Sequence, residues 1–134
     1  MIQSKLNLRV RYSETDQMGF VYHAHYAQYF EVGRVETLRK AGYSYKKLEE
    51  KGFYLPVHTL NIKYIKAAQY DDELTVVTTM DQMPSNRICF HYNILRNEEL
   101  LVEGDTSLIF MNSEYRACRP PQWFLDHLKP FFKS

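Results

Sequence analysis

Between Lys5 and Tyr12 apolar and polar residues alternate, with Leu6, Leu8, Val10 and Tyr12 on one side and Asn7, Arg9 and Arg11 on the other. That period of two predicts a half-buried strand. From about His25 the period changes. Tyr26, Tyr29, Phe30, Gly33, Thr37, Leu38 and Ala41 recur at three- and four-residue steps, while Gln28, Glu31, Arg39 and Lys40 are polar, which predicts one long amphipathic helix. Gly42 is placed to stop it, and Arg39 and Lys40 suit the negative end of its dipole. Gly33, inside the buried stripe, weakens the helix but lets its backbone approach whatever it packs on. Ser44 is placed to cap a short second helix through Glu50 that ends at Gly52.

Beyond Gly52 the helical period is lost. Leu60, Ile62 and Tyr64 alternate with Thr59, Asn61 and Lys63; Leu74 to Met80 is rich in Thr and Val; Ile88, Phe90, Tyr92 and Ile94 alternate again. A fourth strand is expected from Leu101 to Met111, with Arg96 to Glu99 as the hairpin turn before it and Gly104 as a bulge. The tail from Pro120 to Phe132 carries a short helix around Trp123 to Leu128. The order is strand, long helix, then four strands, with no repeat or linker, so residues 1–134 read as one domain. One helix stripe cannot cover both faces of such a sheet, so the other face meets solvent or a second subunit. Eleven Tyr and eight Phe favour the second subunit.

Composition narrows the function. Seventeen basic residues against sixteen acidic ones give no basic stripe of the kind nucleic acid or an anionic membrane demands. A core drawn from 134 residues that are 45% hydrophobic needs no disulfide or metal staple. Cys89 and Cys118 form no CxxC pair or metal spacing and read as structural thiols. No segment reads as a secretory signal or membrane span, and a cytoplasmic protein is expected.

Candidate chemistry concentrates in Tyr12 to Tyr26, Y-S-E-T-D-Q-M-G-F-V-Y-H-A-H-Y. Here acid, glycine and histidine sit between the first strand and the long helix. Asp16 can serve as a general base toward water or attack an acyl carbon itself; on spacing alone, a turn or capping aspartate is the preferred reading. Glu14 is expected in solvent or pointing out of the site. His23 falls at the helix start, where its ring can meet a substrate carbonyl and its backbone N–H can act as an oxyanion donor. His25 is the weaker candidate, and His-x-His without a third separated ligand does not make a metal site. Tyr12 can orient a site group, although a strand tyrosine is more often core, and Tyr22 and Tyr26 share that ambiguity. Glu31 and Glu36 read as a solvated helix face, and Lys63, Lys66 and Arg87 as surface charge with some reach for phosphates. No Gly-rich phosphate loop, Ser-centred elbow or Cys-His pattern is present.

The same run, followed by F-E-V-G-R-V-E-T-L-R and later by L-P-V-H-T-L-N-I-K-Y-I-K-A-A-Q-Y-D-D-E-L, resembles the hotdog-fold acyl-CoA thioesterases of the 4-hydroxybenzoyl-CoA thioesterase branch. The resemblance covers nearly the whole chain apart from the C-terminal tail. It implies an α+β fold, a five- or six-stranded antiparallel sheet wrapped around one long central helix. It also implies subunits joined edge to edge as a homodimer or a dimer-of-dimers homotetramer, with active sites at the interface. The family's essential aspartate falls on Asp16, and its tyrosine and histidine positions fall on Tyr12 and His23; the N–H that polarises the thioester carbonyl falls at His23. Gly19, Tyr22, Tyr26, Lys63 and Arg87 are expected around the substrate. Relatives that take their carboxylate from the helix keep Glu31 and Glu36 in view. Ile65-Lys66-Ala67-Ala68 departs from the family in lacking the proline often found at that strand end. The expected activity is hydrolysis of an acyl-CoA to free acid and CoA without metal or cofactor. The alternatives are a carrier-protein thioester as substrate, or an acyl-CoA binding module without catalysis.

Overall fold

A computed structural model describes residues 1–132. Strand β1 (Ile2–Arg9) leads through a long connection to helix α1 (Tyr26–Lys40) and the short helix α2 (Tyr45–Glu50). Strands β2 (Val57–Tyr64), β3 (Glu73–Met80), β4 (Arg87–Arg96) and β5 (Glu99–Ile109) follow, and α3 (Gln122–Leu128) closes the chain. All strand pairs are antiparallel, in the order β1-β3-β4-β5-β2. This is the α+β hotdog architecture, five strands curling around one long helix.

The period-two pattern sorts the two faces of the sheet. Along β4, Ile88, Phe90, Tyr92 and Ile94 are buried toward the helix side, whereas Cys89 and His91 are exposed on the other. Helix α1 lies across β1 and β3 and reaches β4, with Tyr26, Tyr29, Phe30, Gly33, Thr37 and Leu38 buried as the three- and four-residue steps require. Gly33 marks the closest approach: a Cβ there would stand 2.2 Å from Thr78 Oγ1 and 3.0 Å from Val76 Cγ1. Gly104 is no bulge, because its register opposite Tyr92 and Ile62 is unbroken and the shifts fall at Ile94/Leu95 and Val57/Thr59. Its missing side chain makes room for Phe30, whose ring would meet a Cβ at 2.6 Å and which stacks on Tyr92 at 4.2 Å.

Three further differences from expectation have local causes. The first strand ends at Arg9 rather than Tyr12. Past it, the Glu14 carboxylate accepts from the Arg11 N–H at 2.9 Å and the Glu14 N–H donates to the Arg11 carbonyl at 3.0 Å, closing Tyr12–Glu14 into a 3-10 turn. A second 3-10 turn, His23–His25, precedes α1. The face of the sheet away from the helix carries Thr75, Thr79, Cys89, His91, Glu103 and Asp105, while the aromatics of these strands, Phe90 and Tyr92, are buried on the helix side. Elsewhere the local chemistry is as read: Ser44 Oγ accepts from the Lys47 N–H at 3.3 Å, and Asn97 and Glu98, both at positive φ, make the tight β4–β5 turn. Among the described residues no helix is long and apolar enough to cross a membrane.

Candidate active site

The Tyr12–Tyr26 segment folds into a loop pinned at both ends. Thr15 bridges Val21 and Phe20 bridges Gln69, the Asp16 N–H donates to the Phe20 carbonyl at 2.8 Å, and the Tyr22 N–H to the Glu14 carbonyl at 2.9 Å. Gly19 turns the chain at φ +80°, a conformation that costs glycine little. Within this frame Asp16 is half-buried. Its Oδ1 accepts from the N–H groups of Met18 (2.9 Å) and Phe20 (3.2 Å). Both bonds fall on one oxygen, and they satisfy the turn-aspartate role while leaving Oδ2 for other work.

Asp16 opens onto a cavity of about 290 Å³ lined by Phe20, Val21, His23, Tyr26, Tyr64 and the Ile65–Ala67 turn. The first bond of the helix start runs from the His25 N–H to the Tyr22 carbonyl at 2.8 Å; the His23 and Ala24 N–H groups precede it, where helix donors lack an internal acceptor. The Tyr64 hydroxyl donates to the His23 carbonyl at 3.0 Å, tying the end of β2 to the helix start. Tyr26 is buried, and its hydroxyl accepts from the Ala68 N–H at 3.2 Å. Burial pushes the phenol pKa of Tyr26 up, so it stays protonated. The turn is held without the proline: the N–H groups of Ile65 and Lys66 both donate to the Leu101 carbonyl, at 2.9 and 3.0 Å, and a proline at either of these two positions would forfeit its bond.

The other expected residues scatter. Tyr12 is 79% exposed and sets its ring edge-on to Tyr70 at 5.5 Å, outside the cavity. Tyr22 is exposed beside the His23 ring, 4.5 Å between centroids. Lys63 reaches Glu103 at 4.0 Å, and Arg87 begins β4 at the far end of the sheet; neither lines the Asp16 cavity. Lys66 does, with its ammonium 2.5 Å from Glu99. Glu31 is exposed, and Glu36 pairs with Arg39. Tyr64 escaped the sequence reading because only a contact across 41 residues gives it a role.

Glu14 is the clearest reversal. It is buried rather than solvated, and among the described residues it is the only buried carboxylate. Its Oε1 accepts from the Arg11 N–H (2.9 Å) and the Tyr29 hydroxyl (2.9 Å); its Oε2 faces Arg11 Nε (3.0 Å) and His25 Nε2 (3.3 Å). Burial pushes its pKa up, but the hydrogen bonds from Arg11 and Tyr29, with His25 beside it, outweigh that and hold it below the usual value. Burial and the same carboxylate raise the Tyr29 phenol far above its ordinary value. Among the described residues no three His, Cys, Asp or Glu side chains gather as a metal site. A larger apolar cavity, about 390 Å³, lies at the opposite end of β2 between Leu48, Phe53, Leu55 and Met111. Glu49 is the one carboxylate lining it, so it is a place for packing or for an apolar group rather than for the chemistry.

The fold is of the hotdog class, and comparison with known proteins gives the family and its chemistry. Residues 10–128 match the thioesterase-like superfamily. The chain is 39% identical over 95 residues to the acyl-CoA thioesterase YbgC of Haemophilus influenzae, covering 70% of each chain. It superposes on the DHNA-CoA thioesterase of Staphylococcus aureus with a TM-score of 0.90 at 34% identity, covering 98% of this chain and 89% of that one. A 4-hydroxybenzoyl CoA thioesterase mutant complexed with 4-hydroxybenzoyl CoA shares the fold, with a TM-score of 0.84 at 17% identity over 95% of this chain and 99% of that one. The chain belongs to the thioesterase-like superfamily and is a thioester hydrolase.

Proposed function

We propose that the protein hydrolyses an acyl-CoA to the free acid and CoA, with Asp16 as the reacting carboxylate. The observation that supports this reading is that Asp16 and His23 line one cavity: both N–H bonds to Asp16 fall on Oδ1, Oδ2 is left over, and His23 opens the 3-10 turn that leads into α1. In the general-base form, Oδ2 takes a proton from water as the water oxygen bonds to the thioester carbon. The carbonyl electrons move onto oxygen beside the His23 N–H, and their return expels CoA thiolate, which takes up the proton. In the nucleophilic form Oδ2 itself bonds to that carbon, CoA leaves, and water cleaves the resulting anhydride. Tyr26 and Tyr64 wall the acyl group and Lys66 borders the entrance, while Tyr12 and Tyr22, both exposed, lie outside the cavity lining. Gly19 shapes the loop, and Lys63 and Arg87 lie where only CoA phosphates spanning a subunit boundary would reach them.

That boundary is read from β2. It is a sheet edge, exposed along its length except at Ile62, and an unpaired edge of this length calls for a partner strand. Antiparallel pairing with a second copy sets the Val57 end of one β2 beside the Tyr64 end of the other. The partner's apolar cavity then adjoins the Asp16 cavity, giving the acyl group room that one chain lacks. A homodimer, or a tetramer built from two, follows, with each chain contributing one domain. The wording of the relatives' names supports the CoA ester, and two unpaired thiols suit a cytoplasmic setting. Asp16→Asn is the direct test: thiol release from a panel of short, long and aromatic acyl-CoAs falls about a hundredfold or more, and near-native turnover by a folded variant would reject the reading.

A further inference from the structure

The proposed chemistry makes no use of Glu14 or His25, yet the fold invests heavily in them. A buried carboxylate is costly unless fully partnered, and a purely apolar staple would serve stability at least as well. Glu14 instead collects an N–H and a guanidinium from Arg11 just past the end of β1, a hydroxyl from Tyr29 on α1, and the imidazole of His25 in the turn before it. Its own carbonyl receives the Tyr22 N–H at 2.9 Å. One residue thereby clamps both flanks of the loop whose inner members are Asp16 and His23: Thr15 alone separates it from Asp16, and Tyr22 directly precedes His23.

We propose that Glu14 is a positioning residue, a charged clamp that holds the Asp16 carboxylate at its working distance from the helix-start N–H by joining Arg11, His25 and Tyr29 around one buried site. The inference rests on the assignment of Asp16 above. Glu14 has no access to the cavity and touches no reacting atom; it acts through the loop. Misplacing a reacting group by a fraction of an ångström to an ångström costs up to about a hundredfold in rate, which is large enough to justify a buried charge next to the site.

The test uses Glu14→Gln, which keeps the shape but removes the charge and one acceptor oxygen. Expected are a kcat lowered about tenfold with KM changed by less than about twofold. Amide hydrogen exchange should rise at Met18 and Phe20, the donors to Asp16, while β3 and β4 amides are unmoved. In an Asp16→Asn background the same change should alter the residual rate by less than about twofold, because a positioning effect needs the group it positions. An unchanged kcat, a loss that multiplies in full on the Asp16→Asn background, or exchange that rises equally throughout the sheet would each overturn the proposal. If Glu14→Gln does not fold, Tyr29→Phe, which removes a single hydrogen bond to the clamp, decides: a kcat loss of about threefold at constant KM supports it and no loss rejects it. Should Asp16→Asn retain native turnover, the catalytic assignment fails on its own, and the exchange at Met18 and Phe20 still reports whether Glu14 holds the loop.

Discussion

Two carboxylates on either side of Thr15 meet opposite fates. Asp16 is half-buried, holds two backbone N–H groups on one oxygen and presents the other to a cavity. Glu14 is buried, and partners from the connection after β1, the turn before α1 and α1 itself occupy both its oxygens. A carboxylate whose oxygens are all committed can hold a structure but, while those bonds last, is not free to take a proton from water at a reacting centre or to attack a carbon. One with a free oxygen can do so only if something else fixes its place. With the role proposed for Asp16, the pair divides reactivity and rigidity between neighbours, and the difference lies in partners rather than in chemical type.

The contrast is most sharply broken by exchanging an oxygen for an amide at the reactive member. Asp16→Asn, beyond its loss of turnover, leaves an amide oxygen that still accepts from Met18 and Phe20, so urea unfolding should shift by less than about 1 kcal/mol. Glu14→Ala does the reverse to the fold: it strands the Tyr29 hydroxyl and the Arg11 N–H and leaves His25 Nε2 without the oxygen it faces, and urea unfolding should report a loss of about 3 kcal/mol. Acid should reveal the same member. Because the folded Glu14 carboxyl titrates below its unfolded counterpart, its stabilising contribution is complete above the unfolded value. It disappears as pH falls through the folded one. Unfolding curves taken from neutral pH downward should steepen in the acid range for the native chain, and less so for Glu14→Gln. The smallest change is Tyr64→Phe, which removes the bond to the exposed His23 carbonyl; about 0.5–1 kcal/mol of stability and a two- to threefold loss of turnover are expected from the same assays.

Much of this architecture is readable from period alone. The buried stripe of α1, the alternation along β4 and the cap at Ser44 depend on neighbours in sequence, and all appear where the pattern puts them. The fate of Glu14 does not. It turns on Tyr29 and His25 arriving overhead once α1 has docked, and one polar residue in a connection looks like another until then. Gly104 was misjudged for a related reason: a strand glycine signals either a bulge or a close neighbour, and only the packing of Phe30 chooses. The cavity wall at Tyr64 and Lys66 is likewise a product of long-range pairing, since the local pattern offers Tyr64 only as a strand residue and Lys66 only as surface charge with some reach for phosphates. The family resemblance located Asp16 and His23 where spacing alone favoured an ordinary turn aspartate.

The seat of α1 on the sheet also has a reach beyond packing. Gly33 admits Thr78 at a separation no side chain permits, which indexes the helix along its own axis: slid by one turn, the chain would offer a bulkier residue at that notch and could not settle. His23 lies ten residues before the notch, about 15 Å at helical rise, at the tip of a stiff rod. The placement of His23 at the cavity it shares with Asp16 is thus gauged from the far side of the molecule, and a change at Gly33 has a handle on that cavity that leaves every side chain lining it in place.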